Sequence, residues 1–245
     1  MMYITPIIEY LCPACGNPYY GSGIASYSVF NITSFSDGSS DMDFSLWLTR
    51  CPRCKSFFAK EHLFRFPLAP RVSQFIRYEA SESRACRSER ARAEERRRER
   101  LYGSCDDPYW KNESKLEFLE SAMKQGLYFP PIVSEWDRAK KRIDLYRSLW
   151  WEYNRKRKKT DDEKYLAFCK DFIEALLNVD FYIDNKELTL AELYRNIGCF
   201  DESLKWLGCV RPQEDTEAYV DCIKRQIELG NKKTAAVNKN DKTAD

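Results

Sequence analysis

The chain has 245 residues, of which 43% are hydrophobic and 14% aromatic, so it can build a core of its own and is not disordered throughout. Its 40 Lys and Arg nearly balance its 38 Asp and Glu, and it has no apolar run of the about 18 residues that a membrane span needs. Composition therefore predicts a globular protein without a membrane segment. The N-terminus lacks the basic start and cleavage site of a signal peptide, so we expect a cytoplasmic location.

The first 70 residues are expected to form a small β-rich module. Four of the nine glycines lie within the first 38 residues, and the runs at 24–34 and 44–49 are rich in β-branched and aromatic residues. The same region contains two Cys-x-x-Cys pairs. A single pair is equally consistent with a redox motif, but two pairs favour a zinc ribbon over residues 1–70.

The two pairs supply four candidate metal ligands, Cys12, Cys15, Cys51 and Cys54. In each turn two thiolates converge on one ion, and two turns complete a tetrahedral sulfur site, for which zinc is the default metal. Four cysteine ligands leave no position for an activated water molecule. We therefore expect the zinc ion to be structural and not catalytic.

The segment between the pairs is 35 residues long, against about 15 to 20 in the usual spacing, and a β-hairpin insertion from Gly21 to Leu48 would account for the excess. His62, the single histidine, has no evident partner and is expected at the surface. Cys86 and Cys105 leave a second metal site open as an alternative.

Because no nucleophile elbow, Ser/His/Asp set or phosphate-binding glycine loop is present, we expect no enzymatic activity and assign no catalytic or cofactor-binding residue.

Beyond residue 70 the sequence predicts helices, because long stretches lack proline, the strongest helix interrupter. Residues 71–131 are expected to hold a charged helix at 84–100 without an apolar stripe, followed by a connecting segment. A domain of helical hairpins is expected over 132–230, and a disordered tail over 231–245. The predicted fold class is therefore α+β, with the ribbon first and an all-α region after it.

An aromatic stripe begins the helical region. Apolar residues recur at alternating spacings of three and four, at Trp136, Ala139, Ile143, Tyr146, Trp150 and Tyr153. This spacing places them on one face of a helix, which we expect to pack on its neighbours through the stripe, with a cofactor or base-stacking surface as the alternative. The next helix places Tyr165, Phe168 and Phe172 on one side.

The last third of the chain resembles a tetratricopeptide repeat. Small, aromatic and large residues stand in the family's places at Ala191, Tyr194, Gly198, Phe200, Ser203, Leu207 and Val210. A second glycine, Gly230, follows Gly198 near the repeat length of about 34 residues. A zinc ribbon followed by such helices resembles a group of bacterial proteins, and the resemblance implies a binding role. A generic helical hairpin remains the alternative for this segment.

Charge distribution suggests where partners bind. Residues 111–160 carry 13 Lys and Arg against 7 Asp and Glu, whereas residues 161–229 carry 8 against 16. We therefore expect a protein-interaction adaptor whose acidic helices, including Glu187, Glu192 and Asp201, bind a basic or mixed basic-apolar segment of a protein. The alternative is a nucleic-acid-binding protein that uses its Arg/Lys-rich segments.

Overall fold

The structure is a computed structural model that describes residues 3–26, 34–39, 47–59, 64–66, 114–156, 163–211 and 216–237. The described residues form two compact units. The N-terminal unit contains those up to 134 except 34–39, and the helical unit contains 34–39 and those from 135 onward. The domain boundaries predicted at 70 and 131 stay predictions. The segment 34–39 lies with the helices, and 114–134 lie with the strands.

The N-terminal unit contains two antiparallel sheets. Strand β1 (Tyr3–Leu11) pairs with β2 (Pro18–Ser26) on one side and with β5 (Phe64–Phe66) on the other. Strands β3 (Leu48–Arg50) and β4 (Phe57–Ala59) form a two-stranded sheet. A Cys-x-x-Cys turn joins the strands of each hairpin, β1 to β2 and β3 to β4. The β-rich character predicted for the start of the chain is therefore present.

Helix α1 (Lys115–Gln125) belongs to the N-terminal unit. Its first turn is closed by a capping box, in which Ser114 Oγ accepts from the Glu117 N–H and the Glu117 carboxylate accepts from the Ser114 N–H. The Phe118 ring meets Phe57 of β4 edge-on at 5.2 Å. Helix α1 thus packs on the second hairpin.

Two long helices begin the helical unit, α2 (Glu135–Lys156) and α3 (Glu163–Leu177). Their contact is aromatic, since the Tyr146 ring stacks on Phe172 at 5.2 Å and Tyr153 lies 5.1 Å from Phe168. Trp150 is fully buried and meets Phe172 edge-on at 6.0 Å. The aromatic stripe is therefore an interface between helices.

Three shorter helices complete this unit: α4 (Lys186–Ile197), α5 (Phe200–Cys209) and α6 (Glu217–Glu228). Helices α4 and α5 are joined through Gly198, whose φ of +86° lies in the left-handed region. One apolar cluster joins all three helices, through Leu188, Ala191, Leu207 and Ile223. Such a helix pair with a third helix packed on it is common to many all-α folds, so these contacts establish a helical hairpin and no particular family.

No helix in the described part of the chain is long and apolar enough to cross a membrane. The charged helix predicted at 84–100 lies outside the described residues.

Candidate metal centre and a buried polar network

The first cysteine pair lies in a tight turn closed by backbone hydrogen bonds. The Cys12 N–H donates to the Asn17 carbonyl at 3.0 Å, and the Gly16 N–H donates to the Cys12 carbonyl at 2.8 Å. Gly16 has a φ of +69°, a conformation that glycine adopts without steric cost. The turn brings Cys12 and Cys15 to the same side of the hairpin end, as a metal-binding turn requires.

The second pair repeats this turn. The Cys51 N–H donates to the Ser56 carbonyl at 3.0 Å, and the Lys55 N–H donates to the Cys51 carbonyl at 3.0 Å. Lys55 stands where the first turn has Gly16, and its φ of +63° is nearly the same. The backbone shape is therefore imposed by the turn even where the residue is not glycine.

The four cysteine sulfurs lie within 4.8 Å of one another. Cys12 Sγ is 3.7 Å from Cys54 Sγ, and Cys15 Sγ is 3.8 Å from Cys51 Sγ, so each turn meets the other through both of its cysteines. Both distances far exceed the about 2.05 Å of a disulfide bond, and all four cysteines are free thiols. Such a group could hold one metal ion.

Aromatic residues cover the inner side of the cluster. Phe58 of β4 is fully buried against Cys12 and Cys51, and the Tyr128 ring meets it edge-on at 6.4 Å. Tyr128 also donates from its hydroxyl to the Pro13 carbonyl at 3.4 Å. Two of the cysteines are buried, while Cys15 is exposed. The site is thus lined by apolar groups on one side and open to solvent at one ligand.

Burial and hydrogen bonds shift the pKa values of the individual cysteine thiols in different directions. Burial raises the pKa of Cys12 and of Cys51 above the ordinary value for cysteine. Burial also acts to raise the pKa of Cys54, but hydrogen bonds to Ser56 and to Cys15 and Cys51 outweigh it and lower that pKa to about 7. Loss of the protons from these neighbouring thiols would place negative charges side by side, so a bound cation is the natural counter-charge for this arrangement.

The alternative of a second metal site at Cys86 and Cys105 stays a prediction. His62, Cys86 and Cys105 lie outside the described residues. Within the described ranges, no other group of three or more His, Cys, Asp or Glu side chains comes close enough to hold an ion.

The helical unit contains a buried ion pair in α4. Glu192 and Arg195 of α4 are both 0% exposed, and the Arg195 Nη2 atom lies 2.5 Å from Glu192 Oε1. Burial acts to lower the pKa of Arg195, but Glu192 beside it raises that pKa above the ordinary value. Glu192 was expected on an acidic partner surface, and this was wrong because its carboxylate neutralises a buried guanidinium. Asp201 is exposed and Glu187 half-buried.

Asp37, from the segment between the cysteine pairs, belongs to the same buried region. Its carboxylate accepts from Asn154 Nδ2 at 2.6 Å and from the Ser39 N–H at 2.9 Å. Its carbonyl accepts from Trp151 Nε1 at 3.0 Å. Tyr165 of α3 donates to the Asn154 side chain at 2.6 Å, so the 34–39 segment is anchored to α2 and, through it, to α3.

The first part of the predicted disordered tail also lies on α4. Residues 231–237, called here the C-terminal strap, place three consecutive carbonyl groups against α4 side chains. Arg195 donates to the carbonyls of Asn231 and Lys233, and Asn196 donates to the carbonyl of Lys232. Residues 238–245 lie outside the described residues.

Comparison with protein-family models, with curated proteins and with solved structures finds no match for this chain. The resemblance to zinc-ribbon and tetratricopeptide proteins therefore rests on the sequence motifs, of which the structure supports the cluster of four cysteines.

Proposed function

We propose that the chain is a non-catalytic protein-interaction adaptor, in which a structural zinc ion holds the N-terminal unit and the helical unit offers a surface to a protein partner. The proposal has two parts, the metal and the surface, and each has its own supporting observation and its own experiment.

The sulfur geometry supports zinc. Zn–S bonds of about 2.3 Å in a tetrahedron require neighbouring sulfurs about 3.8 Å apart. The two short distances between the turns are 3.7 and 3.8 Å. Because all four ligands would be cysteine sulfurs, the coordination shell would be full, which is the arrangement of structural sites and not of catalytic ones.

Metal analysis of the purified chain tests this part. We expect one equivalent of zinc per chain, and its loss in Cys51→Ser. Cys209→Ser, at an exposed cysteine of α5, is the matched control and should keep the zinc. A wild-type chain without zinc, or a Cys51→Ser chain that retains a full equivalent, would refute the assignment.

The turn between α3 and α4 supports a protein-binding surface. Residues 177–184 expose two large apolar side chains, Leu177 at 45% and Tyr182 at 81%. Asp180 and Asp184 are exposed in the same turn. Exposed apolar side chains next to carboxylates fit the basic-apolar partner segment predicted from charge, and a tetratricopeptide-like use of the α4–α5 pair is part of this proposal.

Pull-down from native lysate, with and without nuclease, separates this function from the nucleic-acid alternative. A protein partner should survive nuclease treatment, whereas loss of all captured material after nuclease would favour the alternative. With the recovered partner, Tyr182→Ser/Asp180→Lys should slow association by about tenfold at low salt.

Leu229→Ser/Asp221→Lys is the matched control for that variant, because it also removes one exposed apolar side chain and reverses one exposed charge. It should associate at the wild-type rate. Equal rates for the two double variants would show that the 177–184 turn is not the partner surface.

A further inference from the structure

The polar face of α4 binds the C-terminal strap through the main chain of the strap. The Arg195 Nη2 atom is 2.9 Å from the Lys233 carbonyl oxygen, and Asn196 Nδ2 is 3.2 Å from the Lys232 carbonyl oxygen. Every residue presents a carbonyl group, so these contacts recognise an extended backbone and little of its sequence.

The 34–39 segment forms the other wall of this site. The Ser36 N–H donates to the Ala235 carbonyl at 2.8 Å, and the Val237 N–H donates to the Ser34 carbonyl at 2.8 Å. Ser36 also accepts from the Ala235 N–H and donates to Glu192 at 2.7 Å. The strap therefore contacts both α4 and this segment, with which it forms an isolated antiparallel bridge between Ala236 and Phe35.

Two features of the strap add selectivity. Val237 is 7% exposed, which makes it an apolar anchor, whereas its neighbour Ala236 is exposed. The Lys232 side chain passes over Gly198, where an added Cβ would come within 2.7 Å of its Cε atom. The site thus fits an extended segment that carries lysine followed by small residues and one buried aliphatic residue.

The apolar cluster that joins the three short helices contains no residue of the strap. The cluster that joins α4, α5 and α6 consists of helix residues, and its partly buried members, such as Trp206 and Ile227, also lie in these helices. Loss of the strap would uncover the Glu192–Arg195 pair to water, which solvates charges, and would leave this cluster intact.

We propose that the site formed by α4 and residues 34–39 is a binding site for extended lysine-containing peptides, and that the C-terminal strap occupies it as an exchangeable intramolecular ligand. This site uses other residues than the 177–184 turn, and the inference does not rest on the proposed function. A tethered ligand competes at high effective concentration, so an external peptide should bind well only when the strap is removed or open.

Native-state amide hydrogen exchange of the full chain tests whether the strap opens by itself. The N–H groups of Ala235 and Val237 should exchange at least about tenfold faster than those in the middle of α4, because local opening needs less free energy than global unfolding. Equal protection of the strap and α4 would show that they open together, and this would overturn the proposal.

A truncated chain that ends at Gly230 tests exchange in trans. A labelled peptide of residues 229–240, blocked at both ends, should bind this chain at least about tenfold more tightly than it binds the full chain. The Val237→Asp peptide should fail to bind, since it would bury a charge, and the Ala236→Asp peptide is the matched control that should still bind. Equal affinity for both chains, no binding to either, or a truncated chain that loses its helical circular dichroism would each overturn the proposal.

Discussion

The two units of the molecule are stabilised in different ways. Around the cysteine cluster of the N-terminal unit, the buried apolar cluster consists of Phe58 and two of the cysteines themselves. The helical unit has an extensive aromatic interface between α2 and α3, and it also encloses the Glu192–Arg195 pair. The comparison implies that the proposed zinc ion would be part of the fold in the first unit, whereas the second depends on a core and on charges that must remain paired.

Among the predicted changes, metal removal should reduce stability the most, and it should do so in the N-terminal unit. A structural zinc site contributes on the order of 10 kcal/mol of binding free energy that is available only in the folded state. Chelation, or Cys51→Ser, should therefore unfold the two cysteine hairpins. We expect the Cys51 and Lys55 amides to lose exchange protection while most of the helical circular dichroism remains, because α1, with 11 residues, is the only described helix of that unit. Loss of the whole helical signal together with the metal would contradict this separation.

Breaking the buried ion pair should affect the other unit. Glu192→Gln keeps the shape of the side chain but leaves Arg195 charged and buried, at a cost of about 3 to 5 kcal/mol in the free energy of unfolding. The same helical unit offers a matched control in Glu202, which forms an exposed pair with Lys205 at the same i,i+3 spacing. Glu202→Gln should leave the denaturation midpoint nearly unchanged. Equal shifts of the denaturation midpoint for the two variants would show that burial does not increase the contribution of the Glu192–Arg195 pair to stability.

The cysteine cluster and the aromatic helix face could be predicted from the sequence. The spacing of Cys12, Cys15, Cys51 and Cys54 was sufficient to predict that four thiols would come together, because each turn is set by its own few residues. The aromatic stripe likewise followed from a helical period.

Contacts between distant segments could not be predicted in this way. Ser36 and Glu192 are 156 positions apart, and nothing in either local pattern indicates that they meet. The formal charge of Glu192 suggested a solvated face, because composition counts a buried and an exposed carboxylate alike. The i,i+3 spacing of Glu192 and Arg195 was visible, but the same spacing occurs at the exposed pair of Glu202 and Lys205.

The buried Asp37 should give the helical unit a distinctive pH dependence. Burial raises the pKa of Asp37, and Glu192 adds to the increase, although hydrogen bonds from Ser39 and Asn154 oppose it. The folded unit therefore holds this proton at a higher pH than the unfolded chain does. Stability is lost as the pH rises from the unfolded pKa of about 3.9 towards the raised folded pKa, with a slope of at most about 1.4 kcal/mol per pH unit.

Denaturation of the wild type and of Asp37→Asn across pH 4 to 8 isolates this contribution, because every other titrating group is common to both chains. The wild type should lose stability relative to the variant as the pH rises. A relative gain by the wild type would instead mean that the pKa of Asp37 is lowered in the folded unit.

The smallest predicted effect comes from substitutions at the left-handed position that the two cysteine turns share. Lys55 and Gly16 occupy the same left-handed position, which costs a non-glycine residue about 1 to 2 kcal/mol. Lys55→Gly should stabilise the zinc-bound N-terminal unit by about 0.5 to 1 kcal/mol, because the greater freedom of glycine in the unfolded chain offsets part of the gain. Gly16→Ala should destabilise the unit. Because no atom lies within 4 Å of the added Cβ, this change in stability comes from the backbone conformation alone. Both variants require zinc at saturating concentration, so that binding does not shift the measured stability. If Lys55→Gly destabilises the unit, the contacts of the lysine side chain must outweigh the strain of its backbone.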